Sequence, residues 1–233
     1  MTASTRSAVW TGLLAGAVAH DINNFVQGVS SARSLARAFG AAPGTTIADA
    51  AETEAIIEGD LDQLRKMGSW LRALAGAGGS QASTRLADAC ADACVEVERT
   101  PEQLRAESIP PELCVVGTAT ALTTAIASLL EHALAASPAT APVRLTVDGT
   151  GHSPGTPVIV KISAPAFGEL GPIGEARLDV ALAGSLPELR GDARLILAGA
   201  IADAIGGAVY IASDSKTGLV LTLRLVAGAP PIK

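Results

Sequence analysis

Aromatic residues are scarce in this sequence: two Trp, one Tyr and three Phe among 233 residues, or 3%. Proteins that bind single-stranded nucleic acid stack bases on such rings, so the shortage argues against that class. Basic residues are also few, 17 Lys and Arg against 23 Asp and Glu, for a net charge of −6. With no Lys/Arg run to meet a phosphate backbone, no nucleic-acid partner is expected. Three cysteines are an odd number that builds no disulfide framework, which points to a reducing compartment. Long hydrophobic runs are absent too, measured against the roughly 18 apolar residues of a membrane span. The apolar stretch at 13–18 stops at His20 and Asp21 and has a single Arg before it, so it is no secretory leader. A soluble, cytoplasmic protein with no membrane contact is the expectation. Disorder is excluded by a hydrophobic content of 48% with only 17% charged residues. That length and composition suffice for one large domain or two small ones.

Three stretches rich in Gly, Ser and Pro punctuate the chain. FGAAPGTT at 39–46 separates two long segments without internal Pro, and GAGGSQAS at 76–83 is the best domain boundary. Residues 163–191 carry scattered Pro and Gly and read as a long surface loop. Segment 7–38 has helical periodicity. At 100° per residue from His20, Leu14, Val18, Ile22, Phe25, Val26 and Val29 fall between roughly 120° and 240°, an apolar stripe centred opposite His20. Residues 46–76 form a second helical segment, with Ile57, Leu61, Leu64, Met67, Leu71 and Leu74 among its apolar positions. Two long helices joined by a short Pro/Gly turn make an antiparallel hairpin. It buries both stripes well only by dimerising into a four-helix bundle. Beyond residue 83 the pattern mixes helices (86–97, 119–136, 193–205) with extended pieces (113–116, 143–147, 158–162, 208–212, 220–226). This predicts an α+β sandwich, a mixed sheet with helices on one face. The expected domains are therefore a helical hairpin over 1–79 and an α/β sandwich over 80–233.

His20 is one of three histidines. The wheel places it on the polar face of its helix, with Asn24 at roughly 40°, Asp21 at 100° and Gln27 at 340°. An exposed neutral imidazole beside a carboxylate suits phosphoryl acceptance: the ring is the nucleophile, and the carboxylate takes the other ring N–H and fixes the tautomer. An Asn one turn on can orient a phosphoryl oxygen or a water. His132, in an apolar helix, reads as a core-edge histidine, and His152 as a solvated loop residue. Cys90 and Cys94 share a helix face as small buried residues rather than metal ligands. Trp10 and Trp70 read as bundle packing.

The segment AGAVAHDINNFVQGV resembles the H-box of two-component histidine kinases, and LDQLRKMGSWLRALA resembles the partner helix of their dimerisation and phosphotransfer domain. STRLADACADACVEVERTPEQL, ALTTAIASLLEHALAA and LILAGAIADAIGGAVYIASDSKTGLVLTLRLV resemble the opening helix, N-box helix and closing helix–strand pair of the ATP-binding domain. The departures are as informative. His132 and Ser128 stand where the N-box has asparagines. Residues 162–167 lack the Asp and Gly of the adenine motif, Asp192-Ala193-Arg194 replaces the Gly-x-Gly phosphate loop, and the lid has no glycine-rich loop. The combination resembles the ChpT-type histidine phosphotransferases, a dimeric hairpin with a degenerate ATPase-like domain.

That resemblance implies a phosphorelay in which a phosphoryl group passes between receiver-domain aspartates through His20, without ATP and with no cofactor of the chain's own, since the receiver brings Mg²⁺. Partners would be response-regulator receiver domains, a hybrid histidine kinase and a second copy of the chain. His20 would be the phosphoacceptor, Asp21 would orient and activate it, and Asn24 would position an oxygen. Leu13, Gly16, Ala17, Gln27, Ser31, Arg65 and Trp70 are candidates for the docking face. Three other functions compete: a receiver phosphatase using Asp21 and Asn24, a non-catalytic docking module, and an active kinase.

Overall fold

The computed structural model describes residues 3–41, 47–78, 82–97, 103–107, 109–137, 141–148, 153–165, 173–186, 189–190, 192–214 and 218–230. Helix α1 spans Ala3–Ala41 and α2 spans Ile47–Ala77. Trp10 and Leu14 share a groove with Leu71 and Leu74, whereas Asp21 and Phe25 share one with Gln63 and Met67. The pairs run in opposite senses, so the two helices are antiparallel. His152 and residues 42–46 lie outside the described residues.

The face of α1 that is buried differs from the one its periodicity predicts. Trp10, Ala17 and Ala32 are buried, and on the His20 wheel they stand at roughly 60–120°. Ile22 and Val26, in the predicted stripe, are 44% and 52% exposed. On α2, Ile56, Leu61 and Leu71 are exposed as well. One chain thus covers only one edge of the stripe. The reason is that α1 packs on α2 and also on the sandwich helix α6 (Ala193–Ala204), which pulls the contact line toward Trp10 and Ala17.

The sandwich opens with β1 (Ser83–Arg85), which pairs antiparallel with β3 (Cys114–Val116). Between them lie α3 (Leu86–Glu96) and β2 (Leu104–Ala106). Then follow α4 (Ala119–Ala136), β4 (Val143–Asp148), β5 (Pro157–Ala164), β6 (Ile173–Arg177), α5 (Leu178–Ala183), α6 (Ala193–Ala204), β7 (Ala208–Asp214) and β8 (Gly218–Val226). The main sheet has the order β2-β4-β5-β8-β7-β6, antiparallel except for the β2–β4 pair. Its central pair sets Val158 opposite Leu225, Val160 opposite Leu223 and Ile162 opposite Leu221. These residues are all buried, and they alternate with Lys161 and Arg224. Period-two alternation is what one buried sheet face requires. Each such side chain contributes about 1.5–3 kcal/mol on burial.

Helix α4 is the core helix. By length and composition it would pass for a membrane span, which the sequence reading did not anticipate, but 67% of it is buried inside the fold. Thr118 caps it, its side chain accepting from Ala121 N at 3.3 Å. The expected loop at 163–191 is corrected in its second half: it holds β6 and α5, with Leu178, Ala181, Leu182 and Leu186 buried. Short elements with Gly174 and Gly184 among them leave little periodicity to read. The Gly206-Gly207 stop after α6 is where it was expected. Gly206 has φ +79°, and a Cβ on Gly207 would run into the carbonyl oxygen of Arg224 on β8.

Candidate functional site

His20 stands halfway along α1 with its side chain 62% exposed. Its ring meets two neighbours. Asp21 Oδ1 lies 3.3 Å from Nδ1, and Asn24 Nδ2 lies 3.2 Å from the same nitrogen. Neither meets Nε2. One Nδ1 cannot serve both as drawn. With the proton on Nδ1, it donates to Asp21, the Asn24 amide turns its oxygen inward, and Nε2 keeps a free lone pair facing solvent. With the proton on Nε2, Asn24 donates to Nδ1 and the ring has no nucleophilic nitrogen outward. A carboxylate favours the first arrangement.

Asp21 is less exposed than its wheel position suggests, with a side chain 19% accessible. It lies over α2 and forms one wall of a cleft of about 670 Å³ between hairpin and sandwich. The opposite walls carry Lys66 and Trp70 from α2, Glu131 from α4, and Asp192 and Arg194 from α6. Lys66 bonds to Glu131 across the cleft and stands 5.8 Å from the Trp70 ring centroid.

The sandwich side of the cleft holds a pair that the sequence reading missed. His132 is 6% exposed, and its Nδ1 lies 2.6 Å from Asp192 Oδ2. Asp192 is the N-cap of α6, its Oδ1 accepting from Arg194 N at 2.9 Å and Leu195 N at 3.3 Å. The Arg194 guanidinium Nε adds a contact at 3.2 Å. Burial alone would raise the Asp192 pKa. The hydrogen bond and charge of His132, followed by those of Arg194, outweigh burial and hold the carboxyl well below its ordinary range. His132 Nε2 and, one turn away, Ser128 Oγ are buried without a hydrogen-bond partner among the described residues. An Asp immediately before an apolar helical run was the available signal for the cap. Its pairing with a histidine sixty positions earlier left no local trace.

The proposed docking residues divide. Gly16, Gln27, Ser31 and Arg65 are exposed, Arg65 with a 2.6 Å bond to Asp62. Leu13 is half-buried. Ala17 is corrected: it is 2% exposed and unavailable to a partner. The polar face it was assigned to is covered along the half of α1 that packs on the sandwich. Trp70 is also buried, at 8%, and lines the cleft. Cys90 is buried and its thiol is pushed up to about 12, chiefly by desolvation and then by Cys94. That agrees with a packing role.

No protein-family model and no curated relative matches the sequence. Solved structures do match in fold. The histidine kinase AdeS of Acinetobacter baumannii superposes with a TM-score of 0.57 at 10% identity, over 90% of this chain and 98% of that one. Full-length ShkA in complex with AMPPNP gives 0.54 at 15% identity, over 94% of this chain and 46% of ShkA. A bacterial phosphotransferase gives 0.51 at 13% identity, over 92% and 95% of the two chains. The hairpin followed by an α/β sandwich is therefore a histidine-kinase-like fold.

Proposed function

We propose that this chain is a histidine phosphotransferase of a two-component phosphorelay. The observation that carries the reading is the His20 ring, exposed on a hairpin of histidine-kinase-like fold, with both polar neighbours gathered at Nδ1 and Nε2 left outward. In the reaction, a phosphorylated receiver aspartate is presented in line with Nε2. The Nε2 lone pair forms the N–P bond as the acyl phosphate P–O bond breaks, and the carboxylate leaves. Asp21 accepts the Nδ1 hydrogen bond, holds the tautomer and stabilises the positive charge that develops on the ring. The reverse sequence delivers the phosphoryl group to a second receiver. The catalytic Mg²⁺ belongs to the receiver, so positioning is the main task of this chain.

ATP is left out of the scheme. The N-terminus of α6, a ready anion site in other contexts, is already capped by the carboxylate of Asp192, which His132 and Arg194 hold in place. A triphosphate does not fit beside that buried negative charge. The exposed apolar side chains Ile22, Val26, Ile56 and Leu61 on the hairpin support a homodimer closed as a four-helix bundle. The hairpin is taken as domain 1–79 and the sandwich as 80–233.

The test is to incubate the protein with labelled ATP alone, then with ATP, a histidine kinase and a receiver, in wild type and His20→Ala. Acid-labile label only in the full mixture, and absent from the variant, is the expected result. Label from ATP alone would make the chain a kinase. Faster loss of receiver phosphate with no label on the chain would make it a phosphatase.

A further inference from the structure

Besides Lys66–Glu131, hairpin and sandwich meet through two contacts between α1 and α6 that the chemistry at His20 does not use. Trp10, near the start of α1, is 5% exposed and its indole sits on Gly199 of α6. A Cβ built on Gly199 would stand 2.6 and 2.7 Å from ring atoms Cζ2 and Cζ3, and closer still to Cη2. The missing side chain is the socket. Trp10 Nε1 has no hydrogen-bond partner among the described residues, so the ring is held by its apolar surface and close fit.

One turn before Trp10, Arg6 Nε donates to Asp203 Oδ1 at 3.1 Å, and Asp203 lies one turn after Gly199. The two rungs thus join i, i+4 positions on antiparallel helix faces. Asp203 is braced from behind: Arg177 donates to the same oxygen at 3.1 Å and to Asp179 Oδ1 at 2.9 Å. The Asp179 side chain is only 2% exposed and also accepts from Val180 N. An ionic chain therefore runs from the hairpin into the core of the sandwich.

We infer that Trp10–Gly199 and Arg6–Asp203 form a latch that fixes the sandwich in one orientation on the hairpin, with Trp10 and Gly199 as positioning residues for the cleft beside His20. The helix that carries the socket, α6, is the one whose N-terminus Asp192 has closed, so it serves as a docking rail. The latch rests on these contacts alone. Its consequence for transfer rests on the reading of His20 given above.

The experiment uses the full chain, with amide hydrogen exchange along α6, solution scattering and the transfer assay. Trp10→Ala leaves α6 unaltered. It is expected to speed exchange of the hairpin-facing α6 amides by roughly 100-fold or more, the factor that corresponds to losing a buried Trp. The radius of gyration should rise while exchange in β5 and β8 stays as in wild type. Gly199→Ala gives a sign that helix propensity alone would not. An Ala in a helix interior ordinarily stabilises over Gly, whereas the socket requires it to loosen α6, and Trp10→Phe in the same chain should restore protection by shortening the ring. Unchanged α6 exchange and scattering in Trp10→Ala, or a tighter α6 in Gly199→Ala, would overturn the latch whatever His20 does. A wild type that never accepts phosphate, with the exchange results as expected, would sink the His20 reading and leave the latch standing.

Discussion

Removing the Asp192 carboxylate tests how the sandwich is held together on its cleft side. That one side chain caps α6 through two backbone N–H groups, receives the buried His132 ring at 2.6 Å and carries Arg194. Asp192→Ala loses the cap, about 1 kcal/mol, and leaves the buried His132 Nδ1 without its partner, about 1.5–3 kcal/mol more. The sum of about 2.5–4 kcal/mol overlaps the cost of breaking a buried pair. Asp192→Asn keeps a capping oxygen and a neutral acceptor, so it should cost only about 1–2 kcal/mol. Urea unfolding at pH 7 reads the difference. At a slope near 2 kcal/mol/M, the Ala variant's midpoint falls by roughly 1.2–2 M and the Asn variant's by roughly 0.5–1 M. The pH dependence supplies a second check. Because the folded carboxyl is held below its ordinary value of 3.8, the native state binds its proton less readily than the unfolded chain. The stabilisation is then complete above the ordinary value and is lost as pH falls through and below it. The gap between wild type and Asp192→Asn should therefore narrow on acidification below about pH 4. Equal midpoints for the Ala and Asn variants, or a gap that stays constant from pH 7 to pH 3, would refute the assignment of this carboxylate as cap and buried partner together.

Three further outcomes are expected. Asp21→Asn should slow phosphoryl transfer by about 100-fold or more, the usual weight of a tautomer-fixing partner, while the melting temperature stays near wild type; rapid-quench transfer assays from a labelled receiver decide this. Val26→Asp, which puts a charge into the exposed apolar edge of α1, should convert the proposed dimer to monomer in light scattering, and an unchanged mass would remove the bundle from the proposal. Cys90, buried with its thiol pushed up to about 12, should stay unmodified by a thiol reagent at pH 8 in the folded protein and react at once in urea, as mass spectrometry after protease digestion would show.

What could be read from the chain and what could not divides along a physical line. Helices α1, α2, α4 and α6, the alternating strands β5 and β8, and the outward placement of His20 were all legible, because each depends on backbone geometry that repeats within a few residues. Asn24 was legible for the same reason, since i and i+4 positions share one helix face, whereas Asp21, 100° round the helix, was marked by its carboxylate next to His20 in the chain. β6 and α5 escaped notice because five- and six-residue elements complete too few periods to stand out. Which edge of the α1 stripe is buried was decided elsewhere, by a glycine in α6 that leaves room for Trp10 and so turns Ala17 inward while Ile22 and Val26 stay in water. The His132–Asp192 pair and the Arg6–Asp203 bond likewise join residues far apart in the chain. Their energies come from burial, charge and close fit, which exist only after α1, α4 and α6 have been packed together.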